Sequence, residues 1–315
     1  MITDVLCTYD YGREKMDKLS SLGYKIMIKD EKNLIYKDDL KDVEILITYN
    51  PFSTLNISNM KKLKWIQLLS NGIDQLPNKY IEENNILVTN NKNSYSIPVA
   101  EWIVLKILEI YKNSYSFYKN MRKKLWKEDQ SLLELDKKIV GILGTGGISV
   151  EAAKRLKGFN VTLLGCNTGG TKTTHFDKCY PKSEMKEMLK QCDVVVNLFP
   201  GTKETYHIID KHCFEVMRAG VVFISVGRGE VINEKDLIQY IKNKKFRGVA
   251  LDVFENEPLD KENSLWNFDN VIITPHNAWI SEKNHEKIYD LVYENMTRYT
   301  MKQCLINKVN LQRGY

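Results

Sequence analysis

The sequence predicts an α/β protein of two domains, each built on a parallel sheet, the larger one doubly wound. Two observations lead there. From residue 138 onward, short runs rich in Val and Ile alternate with longer amphipathic segments, and the N-terminal part repeats the alternation more weakly. Apolar runs bounded by Gly, Asp and Asn suit strands covered on both faces, and regular alternation with helices implies parallel order. A chain of 315 residues, 43% of them hydrophobic, can bury a core in each domain.

Taken in order, TDVLCTY reads as a strand, the stretch near 12–21 as a helix, and YKIMI, VEILITY, LKWIQLL and ILVTN as strands. VAEWIVLKILEIY carries apolar residues on most faces, as a helix buried at a domain or subunit contact does. KKIVGIL then reads as a strand, 147–157 as a helix, VTLLG as a strand and SEMKEMLKQC as a helix. DVVVNLF and GVVFISV follow as strands, EKDLIQYIKNKK as a helix, and RGVALDV and NVIITP as strands. From Ser281 the amphipathic SEKNHEKIYDLVYENMTRYTM reads as a helix returning to the first domain. The expected domains are 1–97 with 283–315, and 98–282. No regulatory extension is expected after the return segment.

Composition narrows the function. The net charge of +6 is spread along the chain, whereas a nucleic-acid surface gathers basic residues on one face; no nucleic-acid partner is expected. No stretch approaches the roughly 18 apolar residues of a spanning helix. Asp4 and Asp10 stand where a signal peptide needs a basic end. The six cysteines are scattered without a C-x-x-C pair, like free thiols of a reducing compartment. No membrane association is expected, and the expected location is cytoplasmic. His212 and Cys213 come nearest to a ligand pair, but neighbours on a helix point apart, so no metal is expected.

The sharpest local signal is Val140-Gly141-Ile142-Leu143-Gly144-Thr145-Gly146-Gly147-Ile148-Ser149, following a strand and opening a helix. That is the context of a dinucleotide fingerprint. Gly144 permits the tight turn, and Gly146 lets the backbone approach a pyrophosphate at the helix N-terminus. Ser149 takes the third glycine place and is small enough for close helix–strand packing. The turn lacks the Gly-Lys-Ser/Thr ending of a kinase-like phosphate loop. At the end of the next strand, where a carboxylate would bind the adenosine ribose and repel a 2′-phosphate, stands Asn167. Its neutrality, with Thr168 and Lys172 as donors, favours NADP(H) slightly over NAD(H).

Three more segments fall at strand ends, where a doubly wound sheet holds its ligands. Reducing a keto acid needs a fixed cation, a proton donor and a hydride. Arg228 can grip a carboxylate through its planar fork. His276 can donate a proton near neutral pH, and Glu257 can stabilise the imidazolium. Alone, each reads as readily as an ion-pair residue, a loop turn or a satisfied histidine. Three complementary groups at successive strand ends point to chemistry.

In these segments the sequence resembles the D-isomer-specific 2-hydroxyacid dehydrogenases, which include phosphoglycerate, glyoxylate/hydroxypyruvate and D-lactate dehydrogenases. The resemblance runs through Ser70-Asn71-Gly72-Ile73-Asp74, Val99-Ala100-Glu101, Leu198-Phe199-Pro200-Gly201-Thr202 with Thr205, Arg228-Gly229, Asp252-Val253-Phe254, Glu257-Pro258 and Pro275-His276. It implies a Rossmann cofactor domain, a smaller flavodoxin-like substrate domain and a homodimer built around the helix starting near Val99. It implies Arg228, Glu257 and His276 as the catalytic three. Backbone amides near Asn71 and Gly72 would hold the carboxylate of a small 2-keto or 2-hydroxy acid, together with Arg228. Asp252 would bind the nicotinamide carboxamide, and Gly147, Ile148, Pro200, Val226 and Gly227 would contact the NAD(P). Departures are Asn167 for the usual acid, Gly147 for a longer side chain and Ser225 for a frequent Asn. Trp279 resembles the C-terminal binding protein branch. It keeps a second reading open, a dinucleotide-sensing binding protein with little catalysis.

Overall fold

The computed structural model describes residues 2–312 of the chain. The chain divides into two units, Met1–Tyr95 with Ser281–Tyr315, and Ser96–Ile280. The expected bounds fall two residues further along; residues 1 and 313–315, which they include, lie outside the described residues.

In the first unit the order is β1 (Thr3–Cys7), α1 (Arg13–Ser20), β2 (Tyr24–Ile28), β3 (Val43–Thr48), β4 (Trp65–Leu68), α2 (Asn78–Glu83) and β5 (Leu87–Thr89). The strands form a parallel sheet in the order β2-β1-β3-β4-β5. Val5, Leu6, Ile45, Leu46, Ile47 and Ile66 are fully buried in it. Strands so apolar, with both neighbours alike, need cover on both faces.

The second unit opens with α3 (Ser96–Tyr111) and α4 (Ser114–Arg122), followed by β6 (Ile139–Leu143), α5 (Gly147–Leu156), β7 (Thr162–Asn167) and β8 (Lys178–Pro181). Then come α6 (Met185–Leu189), β9 (Val194–Asn197), α7 (Lys211–Val216), β10 (Val221–Ser225), α8 (Glu234–Lys242), β11 (Phe246–Leu251) and β12 (Val271–Ile273). Its parallel sheet runs β12-β11-β10-β9-β6-β7-β8. The order turns back between β6 and β9, so the switch point lies beside the turn from β6 into α5. Ligands of open α/β sheets bind outside the strand ends at such a point.

Sequence periodicity missed α2, α4, α7 and β8. The helices α2 and α7 have six residues each, too few to show a period of 3.6. Strand β8 is a sheet edge, Lys-Cys-Tyr-Pro; an edge needs no apolar run and tolerates a terminal proline. The expected SEMKEMLKQC helix is split, with a 3₁₀ turn at Lys182–Glu184 leading into α6.

The return helix, α9 (Asn284–Thr300), is fastened to the first sheet by a buried polar network. Asn295, with no exposure, donates to Gln67 Oε1 (2.8 Å) and to the Ile306 carbonyl (3.2 Å), and accepts from the Ile306 amide (2.7 Å). Gln67 Oε1 also accepts from Thr89 Oγ1 (2.8 Å), whose oxygen accepts from Trp65 Nε1 (2.8 Å). Each buried group left without a partner costs about 1–3 kcal/mol. Asn295→Leu, which strands both Ile306 groups, should therefore lower stability by about 2–3 kcal/mol in urea unfolding. An unchanged midpoint would mean that the network holds nothing together.

Candidate active site

The glycine turn has the geometry that its spacing predicts. Gly144 sits at φ +92°, and a Cβ there would come within 2.9 Å of the Leu198 carbonyl oxygen. Gly146 precedes α5 without any side-chain cap, and a Cβ on it would meet nothing within 4 Å. The helix thus presents its first amides to an open approach, which fits the pyrophosphate of a dinucleotide. Ser149 is buried and donates to the Gly144 carbonyl (2.6 Å), so the residue in the third glycine place ties the turn shut. Around it gather the loops after β9 and β10. A Cβ on Gly227 would lie 2.6 Å from the Phe199 carbonyl oxygen. The Val226 amide donates to the Asn197 carbonyl (3.2 Å), and Thr205 Oγ1 donates to the Pro200 carbonyl (2.6 Å). Gly147 and Ile148 form the first turn of α5.

Asn167, at the end of β7, has both ends of its amide engaged. Its Nδ2 donates to the Thr171 carbonyl (2.8 Å) and to Thr145 Oγ1 (3.1 Å), while Oδ1 accepts from the Thr171 amide (2.9 Å). The side chain closes a turn over 167–171, with Thr168, Thr171 and Lys172 exposed on it. By sequence alone Asn167 reads as a missing acid. A carboxylate could not donate the two bonds that Nδ2 makes, so the amide also builds the turn.

Three loops bring the ionisable residues together. A Cβ on Gly229 would fall 1.9 Å from the Phe254 carbonyl oxygen, so the 228–230 chain rests directly on the 254–255 chain. Half-buried Arg228 leaves β10 with its Nη1 donating to the Gly227 carbonyl (2.9 Å). Glu257 precedes a cis proline; its Oε1 accepts from the Phe254 amide (3.0 Å), and its Oε2 lies 2.7 Å from His276 Nδ1. Burial pushes the Glu257 carboxyl up, but the His276 hydrogen bond, the Phe254 amide and the charges of His276 and Arg228 outweigh it. The group is held below its usual range. An ionised carboxylate only accepts, so Nδ1 carries the proton in this pair and Nε2 is the ring atom left for a substrate.

Asp252 fixes where that ring stands. Its buried carboxylate accepts from Thr274 Oγ1 (2.5 Å), the Asn277 amide (3.1 Å) and the Ala278 amide (3.0 Å). Its own carbonyl takes the His276 amide (2.9 Å). Burial, the largest effect, raises the Asp252 carboxyl above its usual range against these donors. His276 lies in the left-handed region at φ +50°, uncommon for a residue with a Cβ, and its carbonyl accepts from Trp279 Nε1 (2.9 Å). The loop is held from both sides.

In the first unit, the Asn71–Gly72 loop is tied through its carbonyls. Asn90 Nδ2 donates to the Asn71 carbonyl (2.7 Å) and Ser70 Oγ to that of Gly72 (2.9 Å). Two histidines passed over in the sequence have partners as well. His207 Nε2 lies 2.8 Å from Glu255 Oε1, and the His285 ring stacks on Tyr9 with centroids 5.3 Å apart. Neither pairing leaves a local sequence signal, since the partners come from distant segments. An open cavity lined by Lys119, Arg247 and Asp269 lies at the amino ends of β11 and β12, away from the strand ends that carry these groups.

The family model for the D-isomer specific 2-hydroxyacid dehydrogenase NAD-binding domain matches residues 104–278, more than half of the chain. The glyoxylate reductase of Thermofilum pendens is 30% identical over 257 residues, covering 78% of this chain and 75% of that protein. The D-3-phosphoglycerate dehydrogenase of Methanocaldococcus jannaschii is 28% identical over 288 residues; the match covers 87% of this chain and 53% of that protein, so the chain spans about half its length. Among solved structures, a D-isomer specific 2-hydroxyacid dehydrogenase from Xanthobacter autotrophicus, in complex with NADPH and MES, superposes with a TM-score of 0.83 at 23% identity, covering 99% of both chains. The chain therefore belongs to the D-isomer-specific 2-hydroxyacid dehydrogenase family, NAD(P)-dependent oxidoreductases that move a hydride between the nicotinamide and a 2-hydroxy or 2-keto acid.

Proposed function

We propose that this chain reduces a small 2-keto acid with Arg228, Glu257 and His276 as its working groups. The observation that carries the reading is the 2.7 Å pair between His276 Nδ1 and Glu257, with the Arg228 charge close enough to act on the same carboxylate. Bound NAD(P)H supplies the hydride. Arg228 holds the substrate carboxylate through its fork; in the first unit the family resemblance implies substrate-binding amides near Asn71 and Gly72. His276 gives its Nε2 proton to the carbonyl oxygen as negative charge grows there, while Glu257 steadies the cationic ring. Asp252 positions the His276 loop and offers a remaining lone pair to the nicotinamide carboxamide. Gly144, Gly146, Gly147 and Ile148 cradle the pyrophosphate, and Pro200, Val226 and Gly227 line the nicotinamide end.

A dinucleotide sensor would need only the cofactor site, whereas this chain keeps the acid–base pair as well. His276→Ala should lower keto-acid turnover by about 10²–10⁴-fold, followed as loss of reduced-cofactor absorbance, and leave cofactor affinity nearly unchanged. Unchanged turnover would favour the sensor.

The turn closed by Asn167 favours NADP(H). It offers a neutral amide, exposed hydroxyls and Lys172 where an acid would repel a 2′-phosphate. A protein of the same fold has been solved with NADPH. Titration should show tighter binding of NADPH than NADH. Asn167→Asp should weaken NADPH relative to NADH by about tenfold, on the order of 1.4 kcal/mol; a variant with unaltered preference would remove Asn167 from the selection.

The working assembly in this reading is a homodimer in the cytosol, the location that fits free, unpaired cysteines. Among the described residues, no helix is long and apolar enough to cross a membrane. Leu105, Tyr118, Met121 and Leu125 are at least half exposed along α3, α4 and the chain beyond, and Trp126 is 98% exposed. So much apolar surface in one stretch suits a second copy. Sedimentation should give a dimer that Met121→Lys with Trp126→Lys dissociates; a monomeric wild type would contradict this.

A further inference from the structure

Glu255 joins three segments behind the ionisable pair. Its Oε1 accepts from the Glu234 amide (2.9 Å), the first amide of α8, and its own amide donates back to Glu234 Oε2 (3.4 Å). Glu234 is steadied in turn, because its Oε1 accepts from Asn263 Nδ2 (2.8 Å). Asn233 caps the same helix, its Oδ1 accepting from the Asp236 amide (3.1 Å). A carboxylate at a helix start meets amides that the helix itself leaves unpaired. From the loop after β9, His207 brings Nε2 to 2.8 Å from Glu255 Oε1, and its amide donates to the Glu230 carbonyl (2.9 Å). That ring nitrogen is shielded from solvent and is not aligned for a hydrogen bond, so Glu234 supplies the directed contacts.

The clasp bears on Glu257 through the short chain between them. Glu257 Oε1 accepts from the Phe254 amide (3.0 Å), one residue before Glu255. The 254–255 backbone lies so close to Gly229 that a Cβ there would stand 1.9 Å from the Phe254 carbonyl oxygen and 2.7 Å from the Glu255 nitrogen. Arg228 immediately precedes that glycine, and the 3₁₀ turn at Gly229–Val231 leads on toward α8. Two segments, one carrying Arg228 and the other Glu257, are thus joined twice. Close backbone packing at Gly229 makes one join, and the reciprocal hydrogen bonds of Glu234 and Glu255 make the other. All of these residues belong to the second unit.

We propose that Glu255 is a positioning residue for the reaction, holding the 254–257 chain against the start of α8 so that Glu257 stays hydrogen-bonded to His276. This rests on the reading of Glu257 and His276 as the acid–base pair. Burial pushes the Glu257 carboxyl up, and the His276 hydrogen bond, the Phe254 amide and the charges of His276 and Arg228 hold it down. Glu255 itself faces Glu234 and His207. Loosening the clasp weakens what holds the Glu257 carboxyl down and leaves the burial to act. Ionised Glu257 is the working form, so activity is lost as pH falls through its titration. A weaker hold moves that loss to higher pH.

The test follows the pH profile of kcat/KM for glyoxylate with NADPH. Beside it, carbon-13 NMR titrates the Glu257 carboxyl carbon, whose signal is assigned by its loss in Glu257→Gln. Glu255→Ala should move the acid limb of the profile and the carboxyl titration upward together, by about half a pH unit or more, with NADPH affinity nearly unchanged. Glu255→Gln, which keeps an oxygen for the Glu234 amide, should return both to their wild-type positions. A variant that only folds less well loses amplitude and leaves both midpoints where they were. If Glu255→Ala does not accumulate, Glu234→Ala, which removes the oxygens that answer the Glu255 amide and Asn263, is held to the same upward shift. Unmoved midpoints overturn the inference and leave the reaction class standing. Wild-type protein that turns over no small 2-keto acid with either cofactor overturns the functional reading and the inference with it.

Discussion

The site depends on one buried carboxylate. Asp252 sits at the end of β11 and binds the 274–278 segment through three donors, a hydroxyl and two successive amides. Without that anchor nothing obliges His276 to adopt a left-handed backbone, which a residue with a Cβ takes up at some cost. With it, the imidazole is delivered to Glu257, and Trp279 closes the other side by donating to the His276 carbonyl. Placing an acid in a dry position is itself unfavourable, as its raised pKa records; the donors around it offset that cost and in return hold the loop.

Glu257 and Asp252 show how position separates two carboxylates in one site. Both are partly or fully withdrawn from water, yet one is pushed above its usual range and the other held below it. Asp252 faces amides and a hydroxyl deep in the unit, where burial dominates. Glu257 is hydrogen-bonded to the His276 imidazole and accepts from the Phe254 amide, and these bonds with the His276 and Arg228 charges outweigh its burial. A proton donor at neutral pH needs an ionised partner beside it, and only the second environment provides one.

Much of this was legible in the chain. The buried strands of both sheets announced themselves as runs of Val and Ile, and the Gly144–Ser149 turn declared a strand-to-helix junction because glycine spacing there answers to local backbone geometry. Arg228, Glu257 and His276 stood out because each follows an apolar strand. What stayed hidden was set by long-range pairing. The clamp of Asn167 on Thr171 and Thr145, the meeting of His207 with Glu255 and the tyrosines around the β1 and β3 ends all join segments that no local period connects. Strand β8 escaped because an edge strand carries little apolar signal.

The acid–base chemistry turns on which ring nitrogen of His276 bears the proton facing Glu257. Nitrogen-15 NMR of the labelled protein at neutral pH, with the His276 signals assigned by their loss in His276→Ala, reads this directly. The expected spectrum shows a protonated Nδ1 whose proton lies far downfield, exchanges slowly and moves upfield in Glu257→Gln. A ring protonated at Nε2 alone, with Nδ1 bare and indifferent to Glu257, would contradict it.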